Sequence, residues 1–287
     1  MKIIHISDTH IGSGDAAECF SQVIADIRGL IGSDTDWVVV HTGDLLDREA
    51  VDEAQTGLAL LKKLEGRDGP RVPILLSPGN HDYGCSWRIR QSSAASFRKT
   101  FASHVFGDQP HEFPVLRIIG SCAFIGLDSM AAEFGIVKGL FAEGELGGEQ
   151  LDRLNRLLDE PRLRGLYKVV HLHHHPFISS YSIRPDIADR HFVSKIYSWF
   201  GRGQLRLKDA NSLLQILRDR INLMLFGHKH YGLDHRFEAQ RYGIDMAFDA
   251  SSSTAEGMAT DRMRYRVIDT ATSEVIVRTV RIANSAV

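Results

Sequence analysis

The sequence predicts an α/β fold with a largely parallel sheet. Two observations carry this. Short apolar runs alternate with stretches of helical periodicity, and several of those runs stop abruptly at carboxylate, imidazole or amide side chains. In such folds the loops that do chemistry gather at the carboxyl ends of the strands.

Lys2–Ile6 reads as a buried strand that runs straight into Asp8 and His10. Residues 16–31 place Ala16, Phe20, Val23, Ile24, Ile27, Leu30 and Ile31 on one helical face, with Asp15 as the expected N-cap and Gly32 as the stop. Trp37–Val40 is a second strand, closing on HTGDLLDR with Asp44 inside it. Glu53–Leu64 is helical. Val72–Leu76 is a third strand, closing on SPGNHD with Asn80 and His81.

Ala94–Phe101 is expected to be a short helix. His111–Ile118 and Cys122–Leu127 are expected to be strands about a turn at Gly120-Ser121. The loop from Gly135 to Gly148 matches no nucleotide fingerprint and is assigned no chemistry. Glu149–Leu158 is a helix, and Leu166–Leu172 is a strand ending in His173-His174-His175-Pro176. Leu213–Leu217 is helical, and Ile221–Phe226 is a strand ending in Gly227-His228-Lys229-His230. Beyond Leu233 the tail alternates apolar and polar residues. Met263–Asp269 and Glu274–Ile282 predict terminal antiparallel strands. With no internal repeat and no linker, residues 1–287 are expected to form one domain.

The chain has 287 residues, 43% hydrophobic and 24% charged, with a net charge of −2. This is a globular composition with no bulk field for nucleic acid or anionic membrane. Cys19, Cys85 and Cys122 form no CxxC pair, so neither a disulfide framework nor a thiolate zinc site is expected. The N-terminus lacks the apolar core of a signal peptide, and no apolar run reaches membrane-span length. A cytoplasmic protein is therefore expected.

Any one of the strand endings has an ordinary explanation as a turn or a satisfied polar residue. Together they bring Asp8, His10, Asp44, Asn80, His81, one or more of His173–His175, His228 and His230 to one crevice. Carboxylate and imidazole without thiolate suit zinc, iron or manganese, and do not suit calcium.

The motifs DTH, GDLLD, GNHD, HHP and GHKH, in this order, resemble the calcineurin-like metallophosphoesterases. The resemblance implies a two-sheet α/β/β/α sandwich with a two-metal site between the sheets. By motif, one metal takes Asp8, His10 and His230. The other takes Asn80, His228 and one histidine of the cluster, and Asp44 bridges both. The family's His-x-Pro pattern points to His174, with His173 as the alternative, and strand alternation alone does not choose between them. Two divalent ions against two carboxylates leave a formal surplus of about +2, which an anionic phosphate matches. Such a pair clamps the attacking and leaving oxygens and lowers the pKa of a bound water.

By the same resemblance His81 contacts the phosphoryl group or protonates the leaving oxygen. Asp47 orients His81, and Arg48 touches phosphate. For Asp47 and Arg48 an ordinary loop role competes evenly. Asp82 is expected to fix its loop.

The sequence GLDS at Gly126–Ser129, followed by a helix containing EQLDRL, resembles small bacterial cyclic-nucleotide and glycerophosphodiester phosphodiesterases. GHKH departs from the GHVH or GHTH usual there. The expected activity is hydrolysis of a small nucleotide or glycerophosphodiester. A phosphomonoesterase or a DNA nuclease of the same superfamily is the alternative, and an inactive metal-binding scaffold is the reading from another class. The segment at about 177–209 is an insertion with six basic residues against three acidic ones and many aromatics. It suits a lid or single-strand contact, a patch touching a membrane or partner, or a surface helical excursion.

Overall fold

Strand β1 (Lys2–Ile6) alternates its side chains between two apolar layers. Ile3 packs into a core between two sheets, while Ile4 and Ile6 face a helix-covered core. The computed structural model describes residues 1–48, 50–66, 71–84, 91–131, 144–177, 207–255 and 262–281.

Helix α1 (Ala16–Ile31) covers this outer face with Phe20, Val23, Ile24 and Ile27. Gly32, at positive φ, ends it, and its N–H donates to the Arg28 carbonyl. Strand β2 (Trp37–His41) lies parallel to β1. Helix α2 (Val51–Glu65) follows, then β3 (Ile74–Leu76) parallel to β2. Strand β3 starts two residues later than predicted because Pro73 cannot donate to a ladder.

Helices α3 (Gln91–Thr100) and α4 (Ala102–Val105) lead to a second sheet. Its strands are β4 (Val115–Ile119), β5 (Cys122–Gly126), β6 (Tyr167–His171), β7 (Leu223–Phe226) and β8 (Met246–Asp249). Pro114, which lacks an N–H, explains why β4 begins at Val115 rather than His111. Helices α5 (Gly148–Leu158) and α6 (Ala210–Leu217) cover the outer face of this sheet, and the five-residue α7 (Arg236–Gln240) precedes β8. Strands β9 (Arg262–Asp269) and β10 (Val275–Arg281) return to the first sheet.

The sheet orders are β10-β9-β1-β2-β3 and β4-β5-β6-β7-β8. Both are mixed, because β9 and β10 are antiparallel in the first and β4 is antiparallel to β5 in the second. Ile3, Val38 and Val40 meet Phe124, Val169, Leu223 and Leu225 between the sheets. With helices over both outer faces, the architecture is the α/β/β/α sandwich, and the strand ends of β1, β2, β3, β6 and β7 open at one edge of it. Cys19 and Cys122 are buried free thiols, and Cys85 lies outside the described residues. Among the described residues no helix is long and apolar enough to cross a membrane.

Candidate metal centre

The chain turns sharply at the strand ends. Asp8, His10, Asp44, His228 and His230 all have positive φ, between 44° and 77°. Non-glycine residues avoid this left-handed region, so five at one crevice mark strain that the surrounding contacts hold in place. Those contacts are visible. Both carboxylate oxygens of Asp8 accept the His228 backbone N–H at 3.1 Å. Gly227 has to lack a side chain, since a Cβ there would land on Ser7 Oγ and the Asp8 carboxylate.

The first corner joins Asp8, His10 and His230. His10 Nε2 is 3.2 Å from His230 Nε2, and His230 Nε2 is 3.2 Å from Asp8 Oδ1. In the second corner His173 Nε2 lies 3.1 Å from Asn80 Oδ1, 3.1 Å from Asp44 Oδ2 and 3.2 Å from His228 Nδ1. Asp44 stands between the corners, its Oδ2 also 4.0 Å from His10 Nε2. Asp8, Asp44 and His173 are buried.

The structure thus brings His173, rather than His174, to Asn80 and Asp44. The reason is register. Leu172 N–H donates to the Leu225 carbonyl, and Gly227 N–H donates to the His173 carbonyl, so β6 pairing persists past its end. His173 therefore stays on the face of Val169, towards the inter-sheet crevice. Its Nδ1 donates to the Thr42 carbonyl at 2.8 Å, which leaves Nε2 turned to the cluster. His174 Nδ1 pairs with Ser129 Oγ at 2.8 Å, and His174 also borders His173 and His228.

This donor set fits a pair of first-row ions. Nitrogen lone pairs from several imidazoles and oxygens from two carboxylates and an amide face one another at about 3 Å without protons enough to satisfy them all. The electrostatics point the same way. Burial pushes Asp8 and Asp44 up, but the imidazoles of His230 and His173 outweigh it, and both carboxyls end below the usual range. Burial pushes His173 down, yet the Asp44 and Asp8 carboxylates carry it up to about 9. Two buried anions demand a cation here, and a protonated imidazole supplies it in the chain alone.

His81 sits at the rim, its side chain 29% exposed. Its backbone N–H donates to Asp44 Oδ1 at 2.8 Å and its Nδ1 donates to the Asp47 backbone carbonyl at 2.9 Å. Asp47 therefore orients His81 through its main chain. Its carboxylate faces His10 Nδ1 at 3.6 Å and His81 Nδ1 at 3.9 Å. Arg48 is not drawn in: its side chain is 74% exposed and pairs with Asp47 Oδ2 at 3.3 Å. Asp82 accepts the N–H groups of Leu46 and Gly79 at 3.0 and 2.9 Å, tying the Asp44 loop to the Asn80 loop.

Several supports were not singled out in the sequence. Ser252 Oγ donates to the Asp8 carbonyl, Ser253 exchanges bonds with Ser7, and Thr254 Oγ1 donates to the Thr9 carbonyl. A run of four small hydroxyl residues, Ser251–Thr254, directly after Met246-Ala247-Phe248-Asp249-Ala250 was the available signal. The GLDS motif proves structural as well. Buried Asp128 accepts from Tyr83 Oη at 3.0 Å and pairs with Arg98, bracing the residue next to the NHD turn, and Gln150 binds the Asp128 main chain. His5, His41 and His171 are core histidines hydrogen-bonded to Thr42, Thr9 and Ser77. The basic and aromatic insertion lies outside the described residues except for Phe177 and Leu207–Asp209.

The sequence profile described as calcineurin-like phosphoesterase matches residues 1–232. No curated protein matches the chain. Similar solved structures include one described as a novel archaeal phosphodiesterase, at 11% identity and TM-score 0.41, covering 98% of this chain and 100% of that one. The NAD nucleotidase of Haemophilus influenzae matches at 12% identity and TM-score 0.49, covering 98% of this chain and 49% of that one. A protein serine/threonine phosphatase of Saccharomyces cerevisiae matches at 15% and 0.40, covering 100% and 81%.

Proposed function

Since the chain belongs to the calcineurin-like phosphoesterase family, and so hydrolyses phosphate esters, we propose that it is a phosphodiesterase for a small nucleotide or glycerophosphodiester-type substrate. The observation that carries the metal assignment is the convergence of Asp8, His10 and His230 on one side of Asp44, and of Asn80, His173 and His228 on the other. These seven residues would hold two divalent ions of the manganese, iron or zinc class. When bound, such a pair supplies Lewis acidity to the phosphoryl oxygens and an activated water.

The chain's own groups do the rest. Asp44 holds both corners in one rigid spacing, and its Oδ1 fixes the His81 backbone. Thr42 and Asp47 carbonyls set the orientation of His173 and His81. With Nδ1 anchored, His81 exchanges protons at Nε2, and this is where the departing alkoxide would take its proton. Asp47 keeps His10 in line as a ligand rather than acting on substrate. Arg48 stays at the surface.

Replacing His81 by Ala should cost about 10²-fold with a poor alkoxide leaving group and much less with an activated aryl ester. Equal losses on both would remove the proton-donor role. A cyclic nucleotide, a glycerophosphodiester, a phosphomonoester and single-stranded DNA, each assayed with Mn, Fe and Zn, test the substrate class. Preference for the monoester or the DNA would contradict the phosphodiesterase reading, and silence on the whole panel with metals bound would favour a scaffold.

A further inference from the structure

Behind the loop that carries His228 and His230 lies a second cluster that the phosphoesterase reading does not use. His175 follows β6, Asp249 ends β8, and His235 caps α7, so the three side chains come from segments flanking β7. All three are buried, at 0%, 0% and 2% exposure. Their polar atoms lie within 4.8 Å of one another, and His175 Nε2 is 3.3 Å from Asp249 Oδ2. Yet neither nitrogen of either imidazole, and neither oxygen of Asp249, has a hydrogen-bond partner among the described residues. Apart from the His175–Asp249 and His235–Glu238 ion pairs, which lack hydrogen-bond geometry, nothing in the described residues satisfies these six buried polar atoms, and a folded chain rarely leaves such atoms without a partner.

The surroundings are apolar. The His175 ring packs on Phe226 at 4.5 Å, and the His235 ring stacks on Phe177 at 5.6 Å. The Arg266 guanidinium reaches the backbone carbonyls of Asp249 and Leu233 and not the Asp249 carboxylate. Lys229, buried in the adjacent loop, does not hydrogen-bond that carboxylate either. The Glu238 carboxylate stands 3.8 Å from His235 Nδ1, on the side where a ligating imidazole places its other N–H. Two imidazoles and one carboxylate suit zinc and neighbouring first-row ions. They offer too few oxygens for calcium or magnesium.

We propose that His175, His235 and Asp249 bind a third divalent ion of the zinc class, separate from the two-metal crevice. The ion ties the ends of β6 and β8 to the start of α7.

The test is to strip the full chain of metal, titrate it with Co²⁺, and count bound ions after desalting. Three per chain are expected for wild type. Two are expected for His235→Gln and, as a second and isosteric variant, Asp249→Asn, with a lower Tm and phosphoesterase activity retained. A wild-type count of two that neither variant lowers would overturn the site and leave Lys229 as the partner of Asp249. A wild-type count of one that His235→Gln abolishes would keep this site and remove the two-metal reading instead.

Discussion

Asp82 shows how a single carboxylate can set a site without joining it. Burial and the neighbouring Asp44 push it up to about 8, and it answers by accepting two backbone N–H groups from the loops that carry Asp44 and Asn80. Replacing it by Ala leaves both donors buried and unpaired. The expected cost is about 1–3 kcal/mol in stability, with a larger loss of activity than of fold, read by denaturation and turnover side by side. Unchanged stability would contradict the assignment. His171 gives a prediction with a definite sign. Burial holds it neutral, with its pKa lowered to about 3. Between that value and about 6.5 the unfolded chain binds a proton that the folded chain refuses, so stability falls as pH drops through this window. Metal-free wild type should therefore lose about 2 kcal/mol more than His171→Gln between pH 7 and pH 5, and parallel losses would rule this out. Most of these residues were legible as types at strand ends. Which of His173 and His174 faces the crevice was not, because that depends on pairing with β7 continuing beyond the strand.

At the level of elements, the site is five strand ends braced from behind. The brace under the NHD turn is Asp128, fully buried, with Arg98 and Tyr83 upon it. Asp128→Ala strands a half-buried guanidinium and a buried phenol, and should cost about 3 kcal/mol by denaturation. A loss below 1 kcal/mol would mean the network carries little. GLDS read as a substrate-branch marker in the sequence, whereas its Asp here is a strut and its Ser holds His174. Helix α1 was readable to the residue because its apolar stripe runs over four turns between clear stops. Strand β8 and helix α7 were not. Four and five residues are too short for a period to show, and their form is set by pairing with β7 and by the His235 N–H reaching Ala247. The serine run that supports Asp8 follows directly on that short strand, so its place in the site depends on a pairing that the sequence does not show as a period.

Over the whole molecule, the two sheets place Asp8 and His230, 222 positions apart in the chain, in one crevice. Asp8 and His230 are adjacent only because β1 and β7 face each other across the inter-sheet core of Ile3, Val40, Leu223 and Leu225. The sandwich was legible through the motif order, but the antiparallel return of β9 and β10 beside β1 was visible only as alternation. Ions that bind the folded chain alone stabilise it by mass action, so chelation should lower Tm and readdition should restore it. On the proposed assignment, Asp44 joins two metal sites into one catalytic unit. The direct measurement is phosphodiester turnover by metal-stripped wild type and Asp44→Asn, each reloaded with Mn²⁺ and assayed for bound metal. Wild type should regain activity and Asp44→Asn should stay lower by about 10³-fold or more. Near-wild-type turnover in Asp44→Asn would mean that the reaction needs no carboxylate bridge between the two corners.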